Sequence, residues 1–143
     1  MNAATILKAK GNSVVTVRPG ASLEEAARLL TERGIGCVVV AERGASPVGI
    51  LSERDIVREV ALGGAAKLKS TVAEAMTKPI HTCQPDDTID HLMAVMTARR
   101  FRHVPVVEDG ELVGIVSIGD VVKLRIAEAE METQAMRTYI TTG

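Results

Sequence analysis

Two short segments carry residues whose types and spacing could bind a ligand. Each has a serine followed three residues later by an aspartate: Ser52 with Asp55, and Ser117 with Asp120. In both, a short apolar run ends at the serine and a helical pattern begins near the aspartate, so each pair lies where a strand passes into a helix. An aspartate carboxylate can accept two hydrogen bonds from a vicinal diol, and the first turn of a helix presents free N–H groups that suit a phosphate. The two pairs therefore predict two binding elbows.

The same spacing also has a purely structural interpretation. Ser-x-x-Asp before an apolar run is close to a capping box, in which the two side chains satisfy backbone N–H groups at the start of a helix. For one segment alone, capping is the favoured interpretation. The repeat described next favours ligand binding instead, and the two roles can coexist.

The two segments belong to an internal repeat. At an offset of 66 residues, identical residues include Thr16 and Thr82, and Val38 and Val104. One extra residue near Ala45 then reduces the offset to 65, which aligns the two Ser-x-x-Asp segments. Such self-similarity indicates a duplicated supersecondary unit.

Each copy is predicted to contain a lead-in, a short strand, a helix, two strands joined by a turn, and a second helix. In the first copy these elements are predicted at residues 5–10, 13–17, 22–34, 37–40, 48–51 and 55–61, with the turn at 42–47. In the second copy they are predicted at residues 71–76, 80–83, 88–100, 104–107, 112–117 and 120–139, with the turn at 108–110. The first long helix should be capped by Ser22 with Glu25 as a capping box, and should end at Gly34.

This pattern predicts an α/β (α+β) fold of two β-α-β-β-α repeats. The repeats are assigned to residues 5–62 and 71–127, with a linker at 63–70 and a helical extension at 128–143. A single copy is too short to cover its own strands, so the copies are expected to pack sheet to sheet about a pseudo-twofold axis and to form two clefts. In the extension, residues 124, 127, 131, 135 and 139 recur at helical spacing, which favours a dimer surface over a helix folded back on its own core.

Composition and sequence patterns argue against several classes of protein. The net charge of −1 disfavours binding to nucleic acid, and no segment reaches the roughly 18 uncharged apolar residues of a membrane span. The N-terminus does not resemble a signal peptide, so a cytoplasmic location is expected. Cys37 and Cys83 stand alone, with Cys37 expected as a small core residue, and the three histidines lack metal-ligand spacing. No catalytic arrangement is present, so we expect no enzyme.

The two repeats resemble a tandem pair of cystathionine-β-synthase (CBS) domains. The resemblance rests on the repeated Gly-apolar-apolar-Ser-x-x-Asp-apolar-apolar motif, which begins at Gly49 and again at Gly114, and on the strand-turn-strand before it. It covers residues 5–127. It implies a regulatory module that binds adenosine-containing ligands in clefts between the repeats.

The resemblance also implies the site residues. The aspartate would bond the ribose, the serine would contact ribose or phosphate, the second strand would meet the adenine edge, and a threonine of the first strand would line the pocket. One site would then use Thr16, Cys37, Val38, Ser52, Arg54 and Asp55. The other would use Thr82, His103, Val104, Pro105, Ser117 and Asp120.

Basic residues near the elbows could hold phosphate. Arg102 and His103 are assigned to this role, whereas Arg99 is assigned to a solvated helix end, where cations favour the helix dipole. Arg54 could reach a phosphate or pair with Glu53. Gly119 occupies the position that corresponds to Arg54, so the two sites should differ in phosphate affinity.

These observations predict a sensor that signals to an effector protein in trans and forms a homodimer. AMP is the favoured ligand, and ATP, ADP, NAD(H) and S-adenosylmethionine are the alternatives. The rival hypothesis is a ligand-free scaffold whose elbows are only helix caps. A third hypothesis, an enzyme acting on nucleotides, predicts turnover.

Overall fold

The structure, a computed structural model, describes residues 1–43 and 45–142. Gly44, in the predicted turn at 42–47, and Gly143, at the end of the predicted extension, lie outside the described residues. The helices and strands follow one another as α1 (Ala3–Lys10), β1 (Thr16–Val17), α2 (Leu23–Arg33), β2 (Cys37–Val40), β3 (Gly49–Ser52), α3 (Glu53–Gly63), a 3-10 helix (Ala65–Lys69), α4 (Val72–Ala75), α5 (Ile89–Arg99), β4 (His103–Glu108), β5 (Glu111–Ser117) and α6 (Ile118–Thr142). The predicted α/β class with a long C-terminal helix is confirmed.

The chain divides into two compact units, named here after their aspartates. The Asp55 unit contains residues 13–82 and 107–113. The Asp120 unit contains residues 1–12 and 83–106 and the chain from Gly114 onward. The lead-in helix of each sequence copy therefore belongs to the unit that holds the other copy's Ser-x-x-Asp segment: α1 lies in the Asp120 unit and α4 in the Asp55 unit.

The Asp55 unit is built on a three-stranded sheet in the order β1-β2-β3. β1 pairs with β2 in parallel, and β2 pairs with β3 antiparallel with Cys37 opposite Ser52. Side chains from β1, β2, β3, α2 and α4 form its apolar core, in which Leu23, Ala26 and Leu51 are fully buried. Burial follows the sequence pattern in each element: residues three and four apart in α2, alternate residues in β3 and a continuous run in β2.

Helix α2 begins and ends as its sequence predicts. Ser22 Oγ accepts the N–H of Glu25 at 3.1 Å, and the helix ends at Gly34, whose φ of 64° is left-handed. Glycine tolerates this conformation because it has no Cβ. At the corresponding end of α5 the left-handed position is occupied by Arg100, with φ of 59°.

The second sheet is smaller and pairs β4 with β5. The strand predicted at residues 80–83 is wrong, because only Cys83 makes a bridge, to Val106. The first copy explains the difference: there the Val39 N–H donates to the Val15 carbonyl at 3.3 Å. At the offset of 66, Val39 corresponds to Pro105, which has no N–H to donate.

Helix α6 has 25 residues, about 37 Å at 1.5 Å per residue. It starts two residues before the predicted start at Asp120 and runs past Tyr139. Its first turns contact α1 and α5, and Val121 is fully buried there. Residues 129–141 are all exposed, including Met131 and Tyr139. The extension therefore does not fold back on its own core. Among the described residues, no helix is both long enough and apolar enough to cross a bilayer.

Candidate functional site

Ser52 and Asp55 form a reciprocal cap at the start of α3. Ser52 Oγ accepts the Asp55 N–H at 3.2 Å, and Asp55 Oδ2 accepts the Ser52 N–H at 2.9 Å. The Glu53 N–H donates to the Gly36 carbonyl at 2.9 Å, which ties the helix start to the residue before β2. The capping role proposed from the sequence is thus present at this elbow.

The Asp55 carboxylate is buried and surrounded by donors. Its side chain is 6% exposed, and its Oδ1 lies 3.1 Å from the Arg58 guanidinium. The Thr77 hydroxyl lies 3.4 Å from each carboxylate oxygen. A carboxylate offers about four acceptor positions, and here both oxygens are already occupied. A ligand diol would have to displace Thr77 or Arg58 to reach Asp55.

Ser117 and Asp120 form the same cap at the start of α6. Asp120 Oδ2 accepts the Ser117 N–H at 2.9 Å, and Ser117 Oγ accepts the Asp120 N–H at 3.1 Å. The Ile118 N–H donates to the Arg102 carbonyl at 2.8 Å, as Glu53 does to Gly36 in the other elbow. The repeat therefore preserves the backbone geometry of the elbow.

The surroundings of Asp120 are different. The Lys10 ammonium donates to Asp120 Oδ2 at 2.8 Å and to the Ile115 carbonyl at 3.2 Å. In the part of the chain that the structure describes, Asp120 Oδ1 accepts no hydrogen bond, and the side chain is 25% exposed. This elbow offers a carboxylate oxygen to a ligand without first breaking a contact of its own.

The lead-in helices bring the differing partners to the two elbows. Gly114 allows this close approach, because a Cβ there would lie 2.5 Å from Leu7 of α1. Gly49 likewise leaves room for Met76, which follows α4. Lys10 corresponds to Met76 at the offset of 66, so one elbow receives an ammonium and the other a thioether.

Three residues that contact the two aspartates were not predicted from the sequence: Lys10, Arg58 and Thr77. Arg58 follows Asp55 by three residues, a helical spacing at which ion pairs form, so a search for such pairs would have found it. Lys10 and Thr77 have no comparable signal, because they are 110 and 22 residues distant from their aspartates in sequence.

The pKa values of Asp120 and His103 are both shifted by the surroundings of the Asp120 elbow. Burial opposes ionisation of Asp120, but hydrogen bonds from Lys10 and Ser117 outweigh it and hold the pKa of the carboxyl below its ordinary value. Burial lowers the pKa of His103, and the charges of Lys10 and Arg102 lower it further against the opposing effect of Asp120. At neutral pH the elbow therefore presents an anionic aspartate, a cationic lysine and a neutral histidine.

The remaining residues predicted for the first site lie on two strands and a helix turn of the Asp55 unit. Cys37 is half-buried opposite Ser52, and Val38 is buried beside it. Thr16 on β1 and Arg54 in the first turn of α3 are exposed. The structure thus brings Cys37, Ser52 and Asp55 together.

Of the other residues predicted for the second site, some lie at the Asp120 elbow and others do not. His103 is half-buried at the start of β4, and Val104 and Pro105 are buried after it. Arg102 is exposed, and its carbonyl accepts the Ile118 N–H of the elbow. Thr82 is exposed and belongs to residues 13–82, within the Asp55 unit.

The cysteines differ from expectation. Cys37, expected in the core, is half-buried, whereas Cys83 is buried. Burial, with a smaller contribution from the charge of Asp87, raises the pKa of the Cys83 thiol to about 12. Among the described residues, no three His, Cys, Asp or Glu side chains come together as metal ligands.

Two segments of the chain, residues 11–62 and 72–127, match the sequence profile of the CBS domain. The chain belongs to the CBS domain family. The two matched segments make a tandem CBS pair, which confirms the resemblance. Each segment contains one of the two elbows.

Individual CBS proteins agree with this assignment. The chain is 31% identical to the mitochondrial CBS domain-containing protein CBSX3 of Arabidopsis thaliana, over 96% of this chain and 71% of that protein. The crystal structure of the CBS-domain protein ATU1752 of Agrobacterium tumefaciens matches with a TM-score of 0.82 and 50% identity, over 87% of this chain and 99% of that chain.

A second structure was solved with ligands. The CBS pair of protein MJ0100, in complex with 5′-methylthioadenosine and S-adenosyl-L-methionine, matches with a TM-score of 0.77 and 27% identity. The match covers 90% of this chain and 98% of that one. Both ligands of MJ0100 contain an adenosine with a ribose diol.

Proposed function

We propose that this CBS pair senses an adenosine-containing ligand and that the Asp120 elbow is its principal binding site. The observation that carries the proposal is the unoccupied hydrogen-bonding capacity of Asp120 Oδ1, on a side chain that is 25% exposed. Two acceptor positions on one carboxylate oxygen suit the two hydroxyls of a ribose. The adenosine ligands of MJ0100 support the same ligand class.

Lys10 gives this elbow a preference for anionic ligands. Its ammonium already lies 2.8 Å from Asp120, so a phosphate near the ribose would come within reach of the same charge. The neighbouring N–H groups of Ile118 and Asp120 are bonded, whereas the Gly119 N–H has no acceptor among the described residues and is available to a phosphate oxygen. AMP fits this combination best, and ATP, ADP, NAD(H) and S-adenosylmethionine are the other candidates.

The Asp55 elbow is the weaker site in this proposal. Its carboxylate already accepts bonds from Ser52, Arg58 and Thr77, and removing these from a buried oxygen costs free energy. Because Met76 corresponds to Lys10, this elbow lacks the matching cation. The cation that this elbow does have, Arg58, already pairs with Asp55, so a ligand there should be held less tightly.

The proposed output is a change of conformation rather than catalysis. A ligand shifts the balance between conformations only if it binds one of them better than the other. We infer that the bound state is recognised by an effector protein in trans.

Calorimetric titration of the wild type, Asp120→Asn and Asp55→Asn with AMP and 5′-methylthioadenosine tests the proposal. Asp120→Asn should weaken both ligands about tenfold or more, since a lost hydrogen bond to a charged acceptor is worth about 1.5–3 kcal/mol. Asp55→Asn should leave the tighter binding event unchanged. Equal affinities in the wild type and in Asp120→Asn would contradict the assignment.

Lys10→Met tests the ligand preference. The substitution introduces the residue found at the corresponding position of the other elbow. It should weaken the affinity for AMP about tenfold, as expected for removal of one charge-assisted contact, and should change the affinity for neutral 5′-methylthioadenosine by less than about threefold. Equal weakening of both ligands would show that Lys10 acts only by positioning Asp120.

The ligand-free scaffold is a second candidate, and the complete capping boxes at both elbows favour it. It predicts no heat of binding for any adenosine ligand with any variant. An enzyme is distinguished by incubating the protein with each nucleotide and separating the products by chromatography.

A further inference from the structure

Helix α6 carries an exposed row of mainly apolar side chains that is separate from the elbows. The row follows alternating spacings of four and three residues, and its members are Val122, Ile126, Ala129, Thr133, Met136 and Ile140. Ile126, Met136 and Ile140 are 54%, 62% and 71% exposed. This alternation is typical of the seam of a two-stranded coiled coil, and the row is called the seam below.

The seam is not the face by which α6 packs in its own unit. The packed face contains buried Val121 and half-buried Leu124 and Ala127. At 100° per residue, Ile126 lies about 200° from Leu124, on the opposite side of the helix. The seam is therefore available to another molecule.

Charges beside the seam select its occupant. With Ile126, Thr133 and Ile140 at heptad position a, Arg125 and Glu132 occupy position g, and Glu130 and Arg137 occupy position e. In a parallel pair, each g residue faces the e residue five positions later on the partner helix. Arg125 would face Glu130, and Glu132 would face Arg137. Every such pair is of opposite charge.

An antiparallel arrangement is disfavoured by the same charges. Full overlap of the seam would place Ala129 against Thr133 of the other copy and would bring Glu130 near Glu130 and Glu132 near Glu132. These like-charged pairs destabilise that arrangement. The parallel pairing of two identical helices is the one that the sequence supports.

We propose that two copies of this chain associate through a parallel, in-register coiled coil over residues 122–140 of α6. The seam is about 28 Å long at 1.5 Å per residue, which is short for a coiled coil, and Ala129 and Thr133 fill its centre poorly. The association is therefore expected to depend on protein concentration. It is independent of the adenosine proposal, because no seam residue belongs to either elbow.

Glu132 and Arg137 provide the sharpest test. Both are exposed, and neither forms an ion pair within the part of the chain that the structure describes. Arg125 is less suitable, since it already lies 3.3 Å from Glu128 and 3.6 Å from Asp90. Glu132→Arg would place two like-charged pairs across the dimer, and adding Arg137→Glu would restore two opposite-charged pairs with their order reversed.

Sedimentation equilibrium over a wide range of protein concentration measures the dissociation constant of the dimer. Glu132→Arg should raise it about tenfold at low salt, and the double variant Glu132→Arg/Arg137→Glu should return it to within about threefold of the wild type. Glu32→Arg, an exposed position on α2, controls for the change in net charge. Circular dichroism melting checks that all variants remain folded.

Three outcomes would overturn the proposal. A wild type that stays monomeric at every concentration excludes the coiled coil. A dimer that Glu132→Arg and Glu32→Arg affect equally forms through another surface. A double variant that stays as weak as Glu132→Arg excludes the parallel register.

Discussion

Replacing Asp55 by alanine tests how the two elbows differ in their structural contribution. The change removes the acceptor for the half-buried Ser52 N–H, the partner of Arg58 and the acceptor for Thr77. Asp120→Ala removes the corresponding cap and the partner of Lys10, at a more exposed position. We expect Asp55→Ala to cost more stability.

The magnitude follows from these contacts. Loss of the Asp55 carboxylate leaves the partly buried Ser52 N–H without its acceptor, which costs about 1–3 kcal/mol, and loss of the half-exposed Arg58 pair adds less than about 1 kcal/mol. The sum for Asp55→Ala is about 3 kcal/mol. Asp120→Ala should cost about 1.5 kcal/mol, because water can reach the groups that it leaves unpaired.

Urea denaturation followed by circular dichroism measures both losses. In thermal melts, about 1 kcal/mol corresponds to about 4 °C for a chain of this size, so the expected decreases in Tm are about 12 °C and 6 °C. Arg58→Ala serves as a control and should cost less than about 1 kcal/mol. Equal losses for the two aspartates, or a larger loss at Asp120, would refute the reasoning from burial and hydrogen bonding.

Two further predictions concern backbone conformation and pH. Arg100→Gly should raise the free energy of unfolding by about 0.5–1 kcal/mol in urea denaturation, because Arg100 has a left-handed backbone with φ of 59°. Gly34→Arg, at the matching position of α2, should lower the free energy of unfolding. A loss of stability in Arg100→Gly would show that the left-handed backbone of Arg100 is not strained. Stability should be highest above about pH 6.5 and should decrease on acidification, because the pKa values of both His103 and Asp120 are lowered, so that the unfolded chain binds more protons. The contribution of His103 to stability is lost first, as the pH falls from 6.5 towards its lowered pKa, and that of Asp120 is lost at more acid pH. Urea denaturation midpoints that do not change from pH 8 to pH 5 would contradict this, as would a pH dependence of the midpoint that His103→Gln leaves unchanged.

Local sequence signals predicted the elements that depend on local chemistry. Ser22 and Gly34 set the limits of α2, and the β-branched run after Cys37 matches β2 residue for residue. Helix α3 begins at Glu53 rather than at Asp55, because Ser52 is the cap and the helix starts at the next residue. Within the predicted linker, residues Ala65–Lys69 form a 3-10 helix that the paired glycines before it had obscured.

Nonlocal contacts explain what the sequence did not predict. The expected strand at residues 80–83 failed because its partner position holds Pro105, whose effect depends on knowing which strands pair. The repeat also made the two elbows look equivalent. They differ because Lys10 and Thr77 arrive from lead-in segments far away in the chain, and periodicity within a segment carries no information about such partners.

The two interpretations of Ser-x-x-Asp can be separated at the level of single oxygens. At Asp120, Oδ2 serves the cap and the Lys10 ammonium, whereas Oδ1 is available to a ligand. An asparagine there can keep its oxygen on the cap and turn its amide nitrogen towards the ligand, so it removes the ribose acceptor while leaving the helix capped. At Asp55 the same change would direct an amide donor at the Arg58 guanidinium, because Oδ1 faces Arg58. Asp120→Asn should therefore lose ligand affinity with little loss of stability, and Asp55→Asn should lose stability first. If both elbows were only helix caps, the stability difference would remain, but Asp120→Asn would change the affinity for no adenosine ligand.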